Sequence, residues 1–191
     1  MSRILCQLRR IGLLAICALA LLQASAHAQL TIEITGAGAN RIPVAIAEFG
    51  GDPAASRIVT SVIRGDLERS GLFKMIDPSG EAITETSPPN FPDWKSRGAD
   101  ALAAGSIGLS ADGRQEARFR LYDVSRETVL GGSAFVTSKA MLRAAGHRIA
   151  DVIYEKLTGE PGVFSTRIAY VVRVNATRYE LHIADADGQN S

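Results

Sequence analysis

Apolar and polar positions recur along this chain with two periods, one of two residues and one of three to four. Leu30 to Ile34 (LTIEI) alternates and predicts a strand, followed by Gly36, Ala37, Gly38, Ala39 and Asn40 as a flexible turn. Ile42 to Phe49 (IPVAIAEF) is a denser apolar run. That density predicts a strand covered on both faces, with Pro43 near its start, where a missing donor is tolerated. Asp52 before Pro53 makes an N-cap and first-turn pair. The helix it opens sets Ile58, Val59, Val62, Ile63 and Leu67 on one face and closes at Gly71. Leu72 to Ile76 returns as a short strand, and a strand, helix, strand unit of this kind pairs its strands in parallel.

Asp77 to Phe91 carries Pro78, Gly80, Pro88 and Pro89 and predicts a loop. Pro92, Asp93 and Trp94 start a short helix ending near Gly98, and the small apolar residues of Ala101 to Leu109 fit a buried strand. Asp112 and Gly113 signal a turn into Gln115 to Tyr122 (QEARFRLY), which alternates cleanly. After a further turn at Asp123 to Glu127, Thr128 to Val136 closes a meander. A second long helix is expected over Lys139 to Leu157, with Leu142, Ala145, Ile149, Val152, Ile153 and Leu157 at helical spacing and Gly159 and Pro161 to end it. These elements predict an α/β domain with a mixed sheet and two long helices.

Beyond that domain, Arg167 to Val172 and Tyr179 to Gln189 read as two facing strands joined by a turn over Arg173 to Arg178. A lone hairpin is marginal in water. The pair is therefore expected to open a larger β-rich unit, and the chain to be a fragment. Ile168, Tyr170, Leu181 and Ile183 would then be disordered or sticky unless they pack on the α/β domain.

The amino terminus changes the accounting. Arg3, Arg9 and Arg10 precede an apolar run from Ile11 to Leu22 and an Ala26, His27, Ala28 cleavage site, the layout of a secretory signal peptide. A membrane-spanning helix is the competing reading, but such a span needs about 20 apolar residues and this run is shorter. The mature chain is expected to begin near Gln29, which removes Cys6 and Cys17 and leaves no disulfide. Of the 21 basic and 20 acidic residues, the leader takes three arginines, so the mature chain is slightly acidic. Nothing in that balance calls for nucleic acid or anionic lipid as partner.

Candidate chemistry is sparse. Gly36 and Gly38 form a GxG after a strand, but a phosphate loop must open a helix and here another strand follows, which favours a connector. Asp185, Asp187 and Gly188 suit either the start of a calcium loop or a tight turn, and the tight turn is favoured. His147 lies away from the apolar stripe of its helix and His182 in the last strand. Both read as surface or partly packed residues, with no metal site and no cofactor expected. Ser106 and Ser133 follow glycines without forming a GxSxG elbow. Trp94 reads as a loop anchor, with recognition as the alternative. Glu68 with Arg69, and Arg143 with Asp151, read as solvated helix faces. Asn175, Ala176 and Thr177 match a glycosylation acceptor but read as a turn. With no convergent nucleophile, acid, base or metal cluster, a binding module is expected rather than an enzyme.

Three longer pieces carry a resemblance: DLERSGLF (Asp66 to Phe73), AGHRIADVIYEKLTG (Ala145 to Gly159) and FSTRIAYV (Phe164 to Val171). Together with LTIEI and YELHIADADG they resemble the TolB family of the periplasmic Tol–Pal envelope system, from about Leu30 to Gln189. The resemblance implies a signal peptide over 1–28, an α/β amino-terminal domain over 29–160 and the first strands of a six-bladed β-propeller over 161–191. It further implies a periplasmic, non-enzymatic adaptor. Its TolA-binding segment would be Gln29, Leu30, Thr31, Ile32, Glu33, Ile34, Thr35 and Gly36, while Pal would dock on the propeller. The rival reading is the amino-terminal part of a secreted, propeller-bearing hydrolase similar to prolyl oligopeptidases, its catalytic domain downstream.

Overall fold

The computed structural model describes residues 41–78 and 82–191. The leader, the strand expected over Leu30 to Ile34, the GxG and the segment Gln29 to Gly36 lie outside the described residues. Strand β1 (Ile42–Ile46) is followed by a two-residue strand β2 (Gly50–Gly51), helix α1 (Pro53–Arg69) and strand β3 (Phe73–Ile76). Asp52 caps α1 as its sequence position predicts, its Oδ1 accepting from the backbone N–H of Ala54 at 3.0 Å and Ala55 at 3.3 Å. A short helix α2 (Phe91–Ser96) leads into a meander of β4 (Ala101–Leu109), β5 (Gln115–Asp123) and β6 (Thr128–Thr137). One 3₁₀ turn (Lys139–Met141) then opens helix α3 (Leu142–Thr158). Gly159 ends α3 with φ +81°, a conformation glycine adopts without steric cost.

The sheet order is β3-β1-β4-β5-β6, with β2 also paired to β4. Strands β3, β1 and β4 run parallel, whereas β4, β5 and β6 run antiparallel. The expected mixed sheet is therefore present, with one difference at its centre. The run Ile42 to Phe49 stops as a strand at Ile46, and pairing resumes at Gly50 opposite Ser106. Between these points the β1 side spends one residue more than β4, so the ladder breaks and restarts.

Alternation along β1 and β4 divides the interior into two layers. Val44, Ile46, Ala101 and Ala103 face α1 and α3, joining Val59, Ile63, Leu67, Ile149 and Ile153. Ala45, Ala47, Leu102 and Ala104 face the other way, onto Trp94 and Tyr122. Small side chains on that second face let a helix of only six residues and its loop cover it, and buried Trp94 is the anchor the sequence suggests. Ile58, expected on the inner face of α1, is instead 41% exposed. It sits at the margin of the stripe, on the shoulder that neither the sheet nor α3 covers.

The last two strands, β7 (Arg167–Arg173) and β8 (Tyr179–Asp185), form a separate antiparallel hairpin. Asn175 closes its turn, Oδ1 accepting from the N–H of Thr177 and Arg178. Ile168, Tyr170, Leu181 and Ile183 remain exposed on this paired hairpin. Contact with the rest of the fold is made instead by its end, where Ala184 is fully buried.

Candidate functional site

Polar groups converge where α1, α3 and the turn after β8 meet. Asp66 stands in the last turns of α1, 1% exposed, and His147 stands in α3, 2% exposed. His147 Nδ1 and Asp66 Oδ2 lie 2.6 Å apart. An ionised carboxylate only accepts, so Nδ1 carries the proton and donates. Arg69, one turn further along α1, donates to the same carboxylate. From the hairpin side, Asp187 receives a donation from Arg143, one turn before His147 on α3. Arg143 also lies 3.9 Å from Asp185, and Arg69 lies 3.9 Å from Asp187.

The remaining imidazole nitrogen, Nε2, is buried without a hydrogen-bond partner and faces Asp187 Oδ2 at 4.0 Å. In the neutral ring this nitrogen and the carboxylate are both acceptors, which accounts for the gap. Burial pushes the Asp187 carboxyl up, but the N–H of Gln189 and the bond and charge of Arg143, with a smaller contribution from His147, hold it below its ordinary value. His147, Asp185 and Asp187 bring their ligand-type atoms within 4.8 Å of one another, close enough to share a cation. The two carboxylates of this group already face the Arg143 guanidinium.

Three readings of the sequence are corrected here. His147 is neither a surface nor a partly packed residue, because α3 packs on two neighbours: its apolar stripe meets the sheet, and a second face, with Gly146 and His147, meets α1. Arg143 and Arg69 are not merely solvated charges, since both reach buried carboxylates. Asp151 does not pair with Arg143; it accepts from the backbone N–H of Phe164 at 2.6 Å and Ser165 at 3.1 Å, tying down the segment that leads into β7. Glycine beside histidine in mid-helix was the available signal, since a glycine there marks close approach of another backbone. The tight turn at Asp185 to Gly188 is present, the Gly188 N–H donating to the Asp185 carbonyl at 2.8 Å. His182 is half-buried and stacks on Tyr170. Ser106 sits within β4 and donates to Glu85 at 2.6 Å, and Ser133 sits within β6; neither occupies a strand-to-helix turn.

One cleft adjoins these groups and another lies apart from them. The first, about 430 Å³, lies between α3 and the hairpin and includes Met141, Ala144, His147, Arg148 and Thr166. The other, about 490 Å³, opens at the start of α1 beside Gly50, Arg57 and Arg64. Among the described residues no helix is long and apolar enough to cross a membrane.

Similarity to known proteins decides the family. The TolB amino-terminal domain matches residues 30–130, more than half of the chain. The chain belongs to the TolB family. It is 65% identical over 166 residues to the Tol-Pal system protein TolB of Dechloromonas aromatica, a match covering 87% of this chain and 39% of that protein. With the Tol-Pal system protein TolB of Aromatoleum aromaticum it shares 53% identity over 184 residues, covering 96% of this chain and 43% of the relative. The crystal structure of TolB from Acinetobacter baumannii superposes with a TM-score of 0.68 at 35% identity, covering 82% of this chain and 39% of that one. The chain thus spans about two fifths of the length of these TolB relatives. The expected mixed-sheet α/β fold is the fold they share, and the hydrolase reading finds no support among them.

Proposed function

We propose that this chain serves the Tol–Pal system as a periplasmic adaptor without catalytic activity, and that Gln29 to Gly36 bind TolA. The observation that carries this reading is the TolB amino-terminal domain match over 30–130, with relatives named as Tol-Pal system proteins along nearly the whole chain. In this reading 1–28 is a signal peptide, 29–160 the α/β domain and 161–191 the opening of a propeller blade, the propeller being the part that receives Pal.

The physical mechanism follows from LTIEI. A short strand with free backbone donors and acceptors adds to the edge of a partner's sheet, where main-chain hydrogen bonds supply affinity and alternate side chains supply specificity. If the same strand also docks on its own domain, the two states compete and partner binding becomes switchable. Residues 29–191 should retain TolA in a pull-down and lose Pal. Deleting 29–36 should abolish TolA capture, and undiminished affinity for TolA after that deletion would overturn the assignment.

A further inference from the structure

The cluster around His147 joins two parts of the chain: the helix pair α1 and α3, and the turn that ends β8. From α1 come Asp66 and Arg69, from α3 Arg143, from the end of β8 Asp185 and from the turn after it Asp187. Arg148 of α3 and Arg167 of β7 line the adjoining cleft together with His147 and Asp185. The imidazole stands between two of the carboxylates, with Nδ1 committed to Asp66 and Nε2, buried and without a hydrogen-bond partner, aimed at Asp187 across 4.0 Å.

We propose that His147 is a proton-responsive clasp that fastens the β8 turn to the α1 and α3 helices. With the ring neutral, the turn is held by Arg143 and, at 3.9 Å, by Arg69, and Nε2 has no donor to offer. When Nε2 takes up a proton it becomes an N–H, and the imidazolium bridges Asp66 on one side and Asp187 on the other. The proton comes from solvent through the neighbouring cleft, and no other bond is made or broken. Because docking of the turn supplies the acceptor for the new N–H, proton uptake and docking favour each other, so the clasp tightens as pH falls through the range in which histidine changes charge. Asp187 remains ionised throughout that range, since its carboxyl is held below its ordinary value. The site belongs to the packing between the helices and the hairpin and stands independently of how the chain binds TolA.

Nuclear magnetic resonance of the whole chain tests this between about pH 8 and about pH 5.5, the window in which histidine titrates. The His147 ring nitrogens should report proton uptake at Nε2. The amides of Gly188 and Gln189 should shift with the same midpoint, and their heteronuclear NOE values should rise toward those of α3. Asp187→Ala, which removes the acceptor facing Nε2, should uncouple the turn amides from His147. His147→Asn, which keeps a donor near Asp66, should remove the pH response of the turn altogether. If His147 fails to titrate in this window, or its titration leaves the turn amides unmoved, the clasp is wrong. Persistence of the same turn response in Asp187→Ala overturns it equally, and this variant in the turn keeps the test decisive should His147→Asn fold poorly.

Discussion

Gly146 on α3 lies so close to Val62 on α1 that a Cβ added to it would stand 2.9 Å from the Val62 Cβ and 3.2 Å from the Val59 carbonyl oxygen. This approach brings the neighbouring His147 within reach of Asp66. A larger residue would separate the helices and stretch the 2.6 Å contact between them. Gly146→Ala gains up to about 1 kcal/mol of helix propensity, yet overpacking costs about 1–3 kcal/mol. The expected net result is a loss of stability, read as a lower midpoint in urea. Gly146→Val should be worse, since it adds further bulk against Val62.

Asp66 is a buried carboxylate with partners on two elements. Asp66→Ala would leave the His147 Nδ1 donor without an acceptor and release Arg69. Breaking a buried, hydrogen-bonded pair in this way costs about 3 kcal/mol. The expected outcome is a markedly lower thermal midpoint, with Asp66→Asn falling between the two because its amide oxygen still accepts.

Asp151 offers a local test. Its two oxygens receive the amides of Phe164 and Ser165, as an N-cap residue does. In Asp151→Ala these amides should exchange faster by about tenfold, the equivalent of about 1.4 kcal/mol. Amides in β4 and β5 should keep their protection. Gly162, packed against Asp151 so that a Cβ would meet its Cα at 2.5 Å, should tolerate alanine poorly for the same segment.

Acid should loosen the hairpin's anchor through Asp187. A carboxyl held lower in the folded state than in the unfolded chain contributes stability above its unfolded value, and that contribution disappears as pH falls through the folded one. Asp187 should therefore add to the loss of stability below about pH 4, the ordinary range for an aspartate. Asp187→Asn, which cannot ionise, should flatten that part of the acid unfolding curve.

Trp94, the only tryptophan in the chain, is 3% exposed in the layer opposite the long helices. Its emission should be blue-shifted in the folded protein and move red on unfolding. Replacing it with alanine should cost about 3–5 kcal/mol. If its emission changes at a different denaturant concentration from the helical signal, the two layers do not unfold together.

Periodicity and capping chemistry determine most of this fold without help from tertiary structure. The small apolar run Ala101 to Leu109 predicts β4, alternation predicts β5 and the terminal hairpin, the Asp52 and Pro53 pair begins α1, and Gly71 and Gly159 close the two long helices. A dense run such as Ile42 to Phe49 also announces burial on both faces. It does not reveal where the ladder to β4 breaks, because that depends on the partner strand's register. The same limit applies to the polar cluster. Burial of an apolar stripe is a property of one helix, whereas burial of His147 and Asp66 requires two helices to meet at Gly146. Asp187 joins them from a turn distant in the chain, where Arg143 projects toward it from α3. Local pattern thus settles which residues form helices and strands, while the packing of those elements decides which polar groups lose water and whose charge they answer.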